Sequence, residues 1–171
     1  MKQIILLTLL ITFLSNVTNG QDNIPLKRKP YKLAVAVDKE IVYEEDLKDN
    51  PYVWPDKTVQ LYPGETVYIE IEFNKDTIKR FVAGKENTNP STTLELTFTQ
   101  VSNDKVHELM MLKVKNPFKK KLVYEAMIFL MKQKKWVKTS VIPVEGGLMG
   151  FETWPDIITS IGVGGWTFKN D

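Results

Sequence analysis

The chain holds one histidine, and its surroundings in sequence limit the chemistry it could perform. His107 lies in the segment VHELMMLKVK, where apolar residues alternate and predict a β-strand. A lone histidine cannot form a multi-histidine metal site, so the chemistry open to it is acid–base catalysis beside a carboxylate. A small exported hydrolase that uses an Asp or Glu with His107 is therefore one hypothesis. The alternative is a strand histidine that makes only local hydrogen bonds.

The sequence contains no cysteine, which removes a wide range of chemistry. Disulfides, thiol nucleophiles, iron–sulfur sites and cysteine-based zinc sites are all excluded. The acidic residues at 44–46, with Asp49 and Asp56, lack the spacing of a calcium-binding loop, so a solvated acidic loop is expected there. The glycines at 162–165 lack the Lys-Ser/Thr of a phosphate-binding loop and predict a bulge or a sharp bend. We predict no catalytic constellation, no metal and no cofactor.

The tripeptide Trp-Pro-Asp occurs twice, at 54–56 and at 154–156. It resembles the mobile acid loop of tyrosine phosphatases, but their chemistry requires the cysteine nucleophile that this chain lacks. Proline fixes its own φ and restricts the tryptophan before it, while aspartate can bond nearby backbone donors. Both tripeptides therefore predict chain corners, each held by a buried or half-buried indole.

The charge distribution singles out one part of the chain. Residues 113–138 contain nine lysines and one acid, Glu125. If residues 122–131 form one strand, the lysines at its two ends lie about 30 Å apart, which weakens the case for a single polyanion site. The lysines either keep turns and edges soluble or dock to an anionic surface, such as lipopolysaccharide, an acidic glycan or an acidic protein face. The candidates are Lys119, Lys120, Lys121, Lys132, Lys134 and Lys135.

Aromatic residues toward the C-terminal end form a competing candidate surface. If their rings are exposed, they would suit sugar stacking or a protein interface, and if they are buried they belong to the core. The candidate binding residues are Trp136, Phe151, Trp154 and Trp166, with Phe168 close by in the sequence.

The sequence pattern predicts that β-strands position these residues. Alternation with a period of two dominates after residue 30 and is clearest at residues 65–73, where Val67, Ile69 and Ile71 share one face. Turn signals separate seven to nine such segments, and no long amphipathic helix intervenes. The pattern predicts an all-β domain at residues 31–171, a single antiparallel β-sandwich that is immunoglobulin-like in architecture, with residues 21–30 as an N-terminal extension.

The first twenty residues predict export. Lys2 is followed by an apolar stretch at 4–14 and then by small polar residues up to Gly20, which is the pattern of a signal peptide. No later stretch is long and apolar enough to suggest a membrane-spanning helix after cleavage. We expect a bacterial periplasmic or extracellular product.

These features favour a non-catalytic binding or structural module that contacts another protein or an envelope glycan. The net charge of +2 over 171 residues does not favour specific nucleic-acid binding. Two alternatives stay open: the small hydrolase described above, and an enzyme inhibitor that presents a loop such as residues 84–90. The oligomeric state is left open.

Overall fold

The computed structural model describes residues 25–170, and this part of the chain is all-β without a helix. The predicted signal peptide at 1–20 lies outside the described residues. Within 25–170 no helix is long and apolar enough to cross a membrane. The strands are β1 (Tyr31–Ala36), β2 (Val42–Leu47), β3 (Val59–Leu61), β4 (Glu65–Asn74), β5 (Thr77–Gly84), β6 (Thr93–Asn103), β7 (Val106–Lys115), β8 (Lys121–Leu130), β9 (Lys135–Thr139), β10 (Met149–Trp154) and β11 (Ile158–Lys169).

The strands form three antiparallel sheets. A five-stranded sheet has the order β10-β7-β6-β4-β5, a four-stranded sheet has the order β3-β11-β8-β9, and β1 pairs with β2 as a hairpin. The two larger sheets share one hydrophobic core, to which alternate residues of each strand contribute. Val67 and Leu112 come from one sheet, and Ala126 and Ile161 from the other. This arrangement is consistent with the predicted β-sandwich.

The β1–β2 hairpin has a small core of its own. Leu33, Val35 and Leu47 are buried against Tyr62 at the end of the four-stranded sheet. Gln100 on β6 holds the hairpin to the other sheet, because its side-chain oxygen accepts from Ala36 N at 2.8 Å and its nitrogen donates to Ala36 O at 2.7 Å. The amide thus pairs with β1 as a strand backbone would.

Several local predictions need correction. The eleven strands exceed the expected seven to nine, because short segments such as Val59–Leu61 and Met149–Trp154 pair with distant strands. The acidic residues at 44–46 lie in β2, where they pair with β1, and do not form a loop. Val106 does not share the buried face of Met110, because the β6–β7 register shifts between Val101 and Ser102.

Candidate functional site

A groove crosses the outer face of the four-stranded sheet. Its volume is about 690 Å³. Adjacent strands lie about 4.8 Å apart, so the three steps from β3 to β9 make this face about 14 Å wide. The groove is lined by Trp54, Asp56, Thr58, Gln60, Glu125, Ala126, Met127, Trp136, Gly162, Gly164 and Gly165.

Glycines form the floor of the groove, and the turn that carries Thr58 lies against two of them. A Cβ on Gly164 would lie 3.1 Å from Thr58 Oγ1, and a Cβ on Gly162 would lie 3.5 Å from Thr58 Cγ2. Gly165 has a φ of +62°, at the point where the β8–β11 register shifts. The bulge predicted for residues 162–165 is confirmed. Because these residues lack side chains, the sheet surface stays open between its flanking tryptophans.

Trp54 flanks the groove on the β3 side. The backbone turns sharply after it, since Lys57 N donates to Trp54 O at 2.8 Å and Trp54 N donates to Thr58 O at 2.9 Å. The indole Nε1 donates to Gln60 Oε1 at 3.1 Å, and the side chain is 41% exposed. The predicted corner at 54–56 is confirmed, but its indole is held by a hydrogen bond and is not buried.

Trp136 flanks the groove on the β9 side. Its side chain is also 41% exposed, and its ring packs edge-on against Phe129 with centroids 5.5 Å apart. Its Cζ3 atom lies 3.9 Å from the position that a Cβ on Gly162 would take. The ring therefore leans from the edge strand over the glycine floor, and two exposed indoles face one concave surface.

Two carboxylates and one amide provide the polar lining. Asp56 accepts from Thr58 N at 2.9 Å and from Thr58 Oγ1 at 3.0 Å, and these hydrogen bonds lower the pKa of Asp56 below its usual value. Glu125 accepts from Lys138 Nζ at 2.9 Å. Gln60 donates to Ser160 Oγ at 2.9 Å and to Tyr62 OH at 3.2 Å. Its amide is thus fully engaged and keeps Trp54 in place.

A buried ion pair anchors the segment that carries Trp54. Arg28 is 2% exposed, and its Nε donates to Glu65 Oε1 at 2.7 Å. The same guanidinium donates to Pro51 O at 2.7 Å and to Gln60 O, so it binds both ends of the segment that carries the Trp54 corner. Its Cζ lies 4.1 Å from the centroid of the Tyr52 ring. Arg28, which lies in the predicted N-terminal extension, is thus buried against the sheets.

The structure does not bring the predicted aromatic candidates together. Trp136 lies in the groove, whereas Phe151 is on the outer face of the five-stranded sheet and is 55% exposed. Trp154 is half-buried and donates to Thr139 Oγ1 at 2.9 Å, and the chain bends at Pro155 and Asp156, so the corner at 154–156 is confirmed. Trp166 packs on Tyr124 and donates to Lys57 O at 2.8 Å. A single row of exposed rings is therefore not formed.

The candidate lysines lie in two separate groups at the two ends of β8, as the strand length predicts. Lys119, Lys120 and Lys121 are at its start, and Lys120 Nζ lies 2.7 Å from Asp76 Oδ1. Lys121 pairs with Glu145. The other three, Lys132, Lys134 and Lys135, follow its end. The lysines thus do not form one cationic patch.

His107 lies outside the groove. Gln100 Oε1 accepts from Ala36, so its nitrogen is the atom that faces His107 Nδ1 at 2.9 Å. Nδ1 therefore accepts, and Nε2 carries the proton that it donates to Pro155 O at 3.0 Å. Both ring nitrogens have local partners, as the local hydrogen-bonding interpretation predicts. Within residues 25–170 no group of three or more His, Asp or Glu side chains could hold a metal ion.

Sequence reasoning missed most of the groove. Trp54 and Asp56 were singled out only as part of a repeated tripeptide, and they were interpreted as a structural corner. The signal that could have singled them out is the glycine-rich segment at 162–165, because glycines in a sheet interior often mark a close approach by a ligand or another backbone.

No protein-family model, curated protein or solved structure matches this chain.

Proposed function

We propose that this protein is an exported, non-catalytic carbohydrate-binding module whose groove between Trp54 and Trp136 holds a glycan chain. The observation that carries the proposal is the pair of indoles, each 41% exposed, on either side of a glycine floor. Sugar rings present flat apolar faces that stack on exposed indoles. Around these rings, Asp56 and Glu125 supply acceptors for hydroxyl groups.

The state of the carboxylates favours binding over bond cleavage. Glycoside hydrolysis requires one carboxylic acid with a raised pKa to protonate the leaving group. The pKa of Asp56 is lowered, because both of its oxygens accept hydrogen bonds from Thr58. Glu125 is bonded to Lys138 and is exposed. Asp56, with its lowered pKa, is therefore suited to accept hydrogen bonds from sugar hydroxyls and not to donate the proton that hydrolysis requires.

We also propose that the protein is exported and that its sandwich is immunoglobulin-like. The pattern at residues 1–20 supports export to a bacterial periplasm or to the medium, where envelope glycans are the available ligands. The antiparallel pairing of both sheets around one core supports an immunoglobulin-like sandwich.

The experiment is a titration of the mature chain with a panel of soluble polysaccharides and peptidoglycan fragments, followed by calorimetry. We expect at least one glycan to bind, and we expect Trp54→Ala and Trp136→Ala each to weaken binding about tenfold or more. Phe151→Ala is the matched control, because it removes an exposed aromatic ring that lies outside the groove. Circular dichroism verifies that each variant folds.

Loss of affinity in Phe151→Ala with full affinity in both tryptophan variants would contradict the groove assignment. Binding of no glycan in the panel by the folded protein would contradict the function itself.

A second candidate function is protein binding beside β10. Four large apolar side chains are more than 40% exposed in this region: Ile142, Leu148, Met149 and Phe151. Monomeric proteins seldom expose such clusters without a partner. Affinity capture of binding partners from an envelope extract distinguishes the two functions. A partner protein that binds the Trp54→Ala variant but not the Phe151→Ala variant would support the surface beside β10 over the groove.

A further inference from the structure

We propose that the groove selects glycans that carry protonated amino groups, such as deacetylated amino-sugar chains, over neutral and uronic-acid chains. This inference rests on the proposed function and assigns the ligand class of the same groove. It is carried by charge complementarity, because the lining residues include two carboxylates and, among the described residues, no lysine or arginine.

The two carboxylates are placed for contact with a bound chain. Asp56 lies in the turn directly after Trp54, so a sugar stacked on that indole meets the carboxylate beside it. Glu125 pairs in register with Gly164 on the floor, about 5 Å away across the strands. A chain that crosses the glycine floor therefore has an acid on each side.

Lys138 Nζ donates to Glu125 Oε1 at 2.9 Å. Its side chain is 67% exposed, so an ammonium group on the ligand can compete with it for the same carboxylate. An anionic sugar finds no lysine or arginine among the residues that line the groove. The lysine-rich ends of β8 lie elsewhere, so they do not reverse the preference.

The experiment compares three oligosaccharides of equal length at a pH where the amine is protonated: a fully deacetylated glucosamine chain, its N-acetylated counterpart and an oligogalacturonate. We expect the amino chain to bind tightest, by about three- to tenfold over the acetylated chain, because exposed ion pairs contribute modestly. The oligogalacturonate should bind weakest. Added salt should reduce the preference for the amino chain.

The double variant Asp56→Asn/Glu125→Gln should remove the preference, because affinity for the amino chain falls further than affinity for the acetylated chain. The matched control is Asp104→Asn/Glu108→Gln, which makes the same change in net charge at residues outside the groove. Equal binding of the amino and acetylated chains would overturn this inference and leave the proposed function intact. Equally tight binding of polylysine would also overturn it, because general attraction to cations would then explain the preference. If none of the three oligosaccharides binds but another glycan does, the ligand class is wrong and the proposed function stands.

Discussion

The indole nitrogen of Trp54 donates to the side-chain oxygen of Gln60 at 3.1 Å, and this bond fixes an exposed ring without burying it. Gln60 can hold the ring because its own amide is held by Tyr62 and Ser160. An exposed ring that is already positioned loses less conformational entropy when a ligand binds.

Gln60→Leu removes the partner of the Trp54 indole and keeps a side chain of similar size. We expect the groove affinity for its glycan to fall about three- to tenfold, since one directional hydrogen bond no longer positions the ring. Titration calorimetry measures the change. Thr139→Val is the matched control, because it removes the corresponding bond to Trp154 at 2.9 Å, outside the groove. If both variants bind as the parent does, Gln60 does not position Trp54 for binding.

Gly162 is the position at which the groove can be closed from below. An alanine Cβ there would make ordinary contacts, 3.5 Å from Thr58 and 3.9 Å from Trp136. We expect Gly162→Ala to fold and to bind more weakly, and Gly162→Leu to fold and to lose binding, because the longer side chain fills the floor. Binding isotherms and thermal melts of both variants check this. A folded Gly162→Leu variant with full affinity would place the ligand elsewhere.

Arg28→Met tests whether the buried ion pair anchors the Trp54 segment. The change leaves the Glu65 carboxylate, which is 9% exposed, without its cation. Breaking such a buried pair costs about 3–5 kcal/mol of the free energy of unfolding. Urea denaturation measures it, and Lys32→Met is the control, because the Lys32–Glu44 pair is more than half exposed on both sides. Losses of similar size in the two variants would show that burial does not strengthen this pair.

His107→Leu separates a structural histidine from a catalytic one. The variant leaves Gln100 and Pro155 O without a ring partner, so we expect a loss of about 1–2 kcal/mol in the free energy of unfolding. Glycan affinity should not change, because His107 lies outside the groove. Urea denaturation and calorimetry check the two parts. A hydrolytic activity that disappears in a stable His107→Leu variant would favour the hydrolase hypothesis.

Alkaline pH should destabilise the fold through tyrosines that are buried or partly buried. Burial raises the pKa of Tyr52, Tyr62 and Tyr124 above the ordinary 10.0, and burial with the Glu65 charge does so for Tyr31. The unfolded chain releases these protons near pH 10 while the folded chain keeps them. Stability is therefore full below pH 10 and falls as the pH rises from there.

Urea denaturation at a series of alkaline pH values, with tyrosinate absorbance recorded in parallel, measures this loss. Tyr124→Phe should reduce it. The Tyr124 hydroxyl has no hydrogen-bond partner within residues 25–170, so the variant should be as stable as the parent or slightly more stable at neutral pH. A stability that stays constant above pH 10 would contradict the prediction.

The sequence alone determined that the described part of the chain is all-β and where most of its strands lie. Residues 65–73 and 106–115 alternate so regularly that their strands could be placed to within a residue or two. The bulge at 162–165 and the corners at 54–56 and 154–156 followed from glycine and proline geometry. These features are local, so a few neighbouring residues suffice to specify them.

The tertiary structure alone decided which side chains share a surface. Trp54, Gly162 and Trp136 are distant in sequence and meet only because β3, β11, β8 and β9 pair in that order. Alternation shows that a side chain faces outward but does not specify which strand lies beside it, since pairing depends on long-range packing. For the same reason, alternation could not show that the four candidate aromatics between residues 136 and 166 lie on different sheets.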